Sequence, residues 1–87
     1  MKLVRFSQNG QSPRLGALQG DRIADLQASL AATLAKRGVA RAHAIAAALI
    51  PDSTREFFEG GAASQDAVAS ITEWVTVPAG SARSRAT

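Results

Sequence analysis

Apolar and polar positions alternate in three short runs at the start of the chain and then change to a helical period. In Lys2–Ser7, Val4 and Phe6 fall on one side, and Leu3 and Arg5 on the other. In the second run Leu15 and Ala17 oppose Gly16 and Leu18. Asn9-Gly10 and Gly20-Asp21 separate the runs, and both pairs contain residues that tolerate positive φ. A two-residue connection at Gly20-Asp21 turns the chain back into Arg22-Ile23-Ala24. The pattern predicts a three-stranded antiparallel meander.

From Asp25 the period lengthens. Leu26, Leu30 and Leu34 recur every four residues and define one helix face, with Asp25 as N-cap and Gly38 as the stop. Val39, Ala42, Ile45, Ala46 and Leu49 form a second amphipathic stretch. Pro51 disfavours helical geometry at the residue before it, so Ile50 is the expected boundary. Ser53-Thr54-Arg55-Glu56 has the form of a capping box ahead of a short helix carrying Phe57 and Phe58, which Gly60-Gly61 ends. Ser64 is the expected cap of a last helix, with Asp66 in its first turn and Val68, Ile71, Trp74 and Val75 on its inner face. From Pro78 on, the residues are Pro, Ala, Gly, Ser, Arg and Thr without apolar period. A linker or tail over 78–87 is expected behind a domain of residues 1–77. The predicted class is α+β, a small antiparallel sheet packed against several short helices.

This opening resembles a known family. The start M-K-L-V-R-F, followed by R-L-G-x-L-x-G-D-R-I-x-D-L over Arg14–Leu26, is similar to the N-terminal domain of the fumarylacetoacetate hydrolase family. Ala48-Leu49-Ile50-Pro51, the segment Thr54–Gly61 and the helix after it fit the same domain. The likeness covers roughly residues 1 to 75, and its specificity lies in the ordered combination of these segments. It implies a small α+β unit ahead of a larger, β-rich catalytic domain. For the parent enzyme it implies a metal-dependent reaction on a β-dicarbonyl or acylpyruvate-type acid. That reaction is carbon–carbon hydrolysis, or a related decarboxylation or isomerisation such as those of aromatic catabolism. Magnesium, calcium or manganese would be held by a Glu-x-Glu pair and a later Asp in the catalytic domain. No Glu-x-Glu occurs in this sequence, so the resemblance transfers no catalytic, cofactor-binding or metal-binding residue to any position here. The expected partner is the catalytic domain of the same polypeptide, in a parent that is a homodimer.

Composition agrees with a folded domain. With 87 residues the chain is one domain at most, and a domain of that size buries only about 60–65% of its unfolded surface. A hydrophobic fraction of 46% with 20% charged residues excludes wholesale disorder. The absence of cysteine rules out disulfides and thiolate metal sites and suits a cytoplasmic protein. Arg5 interrupts the opening apolar run, which leaves no secretory core, and the apolar stretch Ala42–Ile50 is too short to span a bilayer.

The net charge of +3 raises the question of nucleic acid. Arg83 and Arg85 of the tail supply most of that excess. Lys36 and Arg37 fall where a helix ends, and cations there complement the helix dipole. Arg41 completes this second basic cluster, and no stacking aromatics interleave it, so neither nucleic acid nor a membrane is an expected partner.

The remaining chemistry-bearing residues have structural explanations. His43 is the only histidine and has no neighbour in sequence to orient it as a base. Glu56 and Glu59 at i,i+3 offer a divalent cation too few oxygens. Asp21, Asp25, Asp52 and Asp66 stand at turns or caps. The glycines lack the spacing and lysine of a phosphate loop, and no serine lies in a nucleophile elbow. Phe57, Phe58 and Trp74 are the candidates for an exposed docking face, with burial in the core as the competing fate. Two other classes fit the residues less well: a stand-alone interaction module, and a small basic nucleic-acid binder with salt-sensitive affinity.

Overall fold

The computed structural model describes residues 2–7, 13–79 and 83–86. Three strands, β1 (Lys2–Ser7), β2 (Arg14–Gln19) and β3 (Arg22–Asp25), pair antiparallel in sequence order, as the alternation predicts. Gly20 takes φ +61° in the tight turn between β2 and β3. The expected Asn9-Gly10 turn lies outside the described residues. Four helices follow: α1 (Leu26–Lys36), α2 (Ala42–Leu49), α3 (Thr54–Glu59) and α4 (Gly61–Ala69). Strands β4 (Thr76–Pro78) and β5 (Arg83–Ala86) complete a five-stranded sheet of order β4-β3-β2-β1-β5. The class is α+β.

The sheet is wider than the predicted meander by these two strands. β5 falls in the stretch expected to be a linker or tail, yet it pairs with β1 from Val4↔Ala86 to Ser7↔Arg83. Its sequence lacks the apolar alternation that marks β1, β2 and β3.

The order of strands dictates a rolled sheet. β4 and β5 occupy opposite edges, but only residues 79–82 connect them. Four strand spacings of a flat sheet amount to about 19 Å. The chain from Pro78 to Arg83 reaches at most about 18 Å. The edges therefore curl toward each other, and burial shows the result. Leu15, Ala17 and Ala24 lie on the face covered by the helices, in the main core with Leu26, Leu30, Ala46, Ile50 and Phe57, and half-buried Leu3 packs against them. Val4, Phe6 and Ile23 point the other way, yet only 3%, 3% and 0% of their surface is exposed. They form a second small core inside the roll, with Leu18, Val77 and Ala79 packed against it.

Helix ends follow local chemistry. Asp25 caps α1 by accepting a hydrogen bond from the Ala28 amide at 3.1 Å. Its other end closes as expected at Gly38, which takes φ +78°. The Gly38 amide donates to Ala35 O and the Val39 amide to Leu34 O, each at 3.0 Å, so two otherwise free carbonyls are satisfied. Ile50 ends α2 ahead of Pro51, and its carbonyl accepts from Gln27 Nε2 of α1 at 2.9 Å. Ser53 caps α3 through the Glu56 amide at 3.3 Å.

Two expectations about the last helix are corrected. α4 begins at Gly61, so Ser64 sits inside it, buried against the bare Cα of Gly60, and is not its cap. α4 also ends at Ala69, which leaves Ile71, Trp74 and Val75 on non-helical chain. Ile71 is buried, but Trp74 and Val75 are exposed. β-branched residues at 71, 72 and 75–77 weaken the helix there, and hydrogen bonds from α1 capture the backbone instead. Ile45, expected on the inner face of α2, is also exposed.

Candidate functional site

The residues carrying the sequence pattern Arg14–Leu26 converge on one small region, and each has a physical task there. Gly16 lies on the inner face of the rolled sheet, opposite Val4 of β1 and Asp25 of β3. A Cβ at this position would stand 2.5 Å from Ile23 Cγ2, 2.9 Å from the Ala24 carbonyl and 2.9 Å from Phe6 Cε1. Only glycine leaves room for Phe6 and Ile23 to close over the strand. Gly20 and Asp21 make the turn, and the Asp21 carbonyl accepts from the Ala79 amide at 2.8 Å, tying that turn to the end of β4.

Asp25 joins sheet, helix and C-terminal segment. Its Oδ1 caps α1, its Oδ2 accepts from Arg14 Nη2 at 2.5 Å, and its amide donates to Val75 O at 2.8 Å. The carboxylate is almost fully buried, whereas about a third of the Arg14 side chain is exposed (34%). Asp25→Ala is expected to destabilise the domain by about 2 kcal/mol, roughly half from the cap and half from the ion pair. Asp25→Asn keeps an acceptor for Ala28 and should recover about half of that loss. Urea midpoints at constant m-value measure both.

A second set of contacts escapes the sequence pattern. Thr33 Oγ1 donates to Ser29 O at 2.9 Å and accepts from the amides of Thr72 and Glu73, both at 3.1 Å. Ser29 Oγ accepts from the Val75 amide at 2.8 Å and faces Val75 O at 3.4 Å. Both hydroxyl residues are buried. One turn apart on α1, they tie down the backbone of residues 72–75, and the Lys36–Glu73 pair at 3.3 Å adds a solvent-exposed contact. Their only signal in the sequence is hydroxyls spaced i,i+4 beside the Leu26-Leu30-Leu34 stripe, which reads equally well as helix filler.

The segment so fixed presents Trp74 outward, with 46% of its surface exposed. Phe58 on α3 is exposed by 55%, and its ring meets buried Phe57 edge-on at 5.5 Å between centroids. Beside it Leu3, Phe57, Gln65, Val68 and Ala69 line an open apolar depression of about 340 Å³. Of the three aromatic candidates for a docking face, Phe57 belongs to the core, and Phe58 and Trp74 lie at the surface.

The titratable candidates are not brought together. His43, Glu56 and Asp66 are exposed on separate helices. Glu59 pairs with Arg55 at 3.4 Å. Asp52 is exposed, and its carbonyl accepts from Arg5 Nε at 3.2 Å. Among the described residues no three His, Cys, Asp or Glu side chains converge as metal ligands. Also among them, no helix is long and apolar enough to cross a membrane. Lys36 lies in the last turn of α1, Arg37 is its C-cap and Arg41 opens α2 with φ 59°. The basic cluster therefore frames the α1–α2 connection.

Comparison with known proteins places this arrangement. No curated protein and no solved structure matches the chain. The family described as Rv2993c-like, N-terminal, matches residues 1–44, the stretch that holds β1, β2, β3 and α1 and therefore Gly16, Gly20, Asp25 and the two hydroxyls of α1. The chain belongs to this Rv2993c-like N-terminal family, a family of the fumarylacetoacetate-hydrolase-type N-terminal domain.

Proposed function

We propose that this chain is the non-catalytic N-terminal domain of a metal-dependent enzyme of the fumarylacetoacetate hydrolase family. The parent acts on β-dicarbonyl or acylpyruvate-type acids, by carbon–carbon hydrolysis or by a related decarboxylation or isomerisation. The observation that carries the reading is the family match over residues 1–44, joined to what the matched residues do. Gly16 admits a close approach, Gly20 makes a turn and Asp25 caps a helix. Each is occupied with holding the fold. On this reading magnesium, or calcium or manganese in its place, is held by the acidic residues of the catalytic domain, and the parent is a cytoplasmic homodimer.

The role left to the chain is contact with that catalytic domain. Phe58 and Trp74 are the residues we assign to it, because both rings are solvent-exposed while the backbone next to Trp74 is held rigidly by Ser29 and Thr33. An aromatic ring on a pre-ordered backbone loses little conformational entropy on docking. Hydroxyl-radical footprinting tests the assignment residue by residue. Strong oxidation of Trp74 and Phe58 is expected in the isolated chain, falling several-fold in the full polypeptide. Equal labelling of both rings in the two forms would remove them from the interface.

The coding sequence beyond Thr87 provides the first test of the family reading. A continuing frame with a Glu-x-Glu pair and a later Asp is expected. A stop codon directly after Thr87 would instead leave a stand-alone interaction module.

A further inference from the structure

We draw no further inference here: the strongest candidate, the open apolar depression between β1, α3 and α4 beside the exposed Phe58 ring, carries nothing because no feature of the structure shows what covers it.

Discussion

Gly16→Ala is expected to destabilise the domain by about 3 kcal/mol, and Gly16→Val by more. The added methyl group would overlap Ile23 Cγ2 and press on the Ala24 carbonyl and Phe6 Cε1. Relief by rotamer change is blocked on the backbone side, since a carbonyl in the β2–β3 ladder cannot swing away without breaking it. The other two neighbours belong to the core inside the rolled sheet, where Val4, Phe6 and Ile23 have no spare volume. A chain of this size has a total stability on the order of 5 kcal/mol, so Gly16→Val should leave little net stability at room temperature. Gly20 supplies the internal control. It has open space around its Cα but φ +61°, so Gly20→Ala should cost only about 1 kcal/mol of backbone strain. Urea titration of the three variants separates steric overlap from backbone conformation. Equal losses at the two glycines would contradict the rolled sheet.

Thr33→Val should cost about 2–3 kcal/mol and act locally before it acts globally. Valine matches threonine in shape but leaves the amides of Thr72 and Glu73 without their acceptor, and it removes the bond to Ser29 O. An orphaned, partly buried donor costs more than the net value of the bond it lost. Thr33→Ser retains the oxygen and should lose about 1 kcal/mol through the missing methyl group. Hydrogen exchange distinguishes this from general destabilisation. Protection of the Thr72, Glu73 and Val75 amides should fall further in Thr33→Val than protection of the Leu26–Leu30 segment. A uniform loss across the chain would mean that the hydroxyl does not hold residues 72–75.

These two sites show where the sequence could be read and where it could not. Periodicity was enough for β1, β2 and β3, because each alternates about a face that must be buried. The caps at Asp25, Gly38 and Ser53 were equally legible, since their chemistry lies within a few residues of the helix end. Long-range capture was not. Thr72, Glu73 and Val75 are drawn out of a helical pattern by hydroxyls some forty positions earlier, and nothing local to Ile71–Val75 announces it. β5 was illegible for a different reason: it pairs with β1 at the other end of the chain and its own residues carry no apolar alternation. Gly16 read as one member of a family pattern, but its reason, the meeting of Phe6 and Ile23 over β2, required the strand register.

The candidate site divides in the same way. That His43, Glu56 and Asp66 stand apart follows from their positions on different helices, and the sequence already offered each a structural role. The fates of Phe57, Phe58 and Trp74 were not separable beforehand. Adjacent positions on a six-residue helix point in different directions, so one phenylalanine enters the core while its neighbour faces water. Trp74 was expected on an inner helix face and is exposed because the helix ends five residues earlier.

A turnover assay comparing this 87-residue chain with the full polypeptide, using an acylpyruvate with and without magnesium, tests the non-catalytic role of the domain most directly. Turnover by the full polypeptide is expected, abolished by a chelator and restored by added magnesium, with none by the isolated chain. Magnesium-dependent cleavage by the isolated chain would contradict it, as would a full polypeptide inactive toward every β-dicarbonyl acid tried.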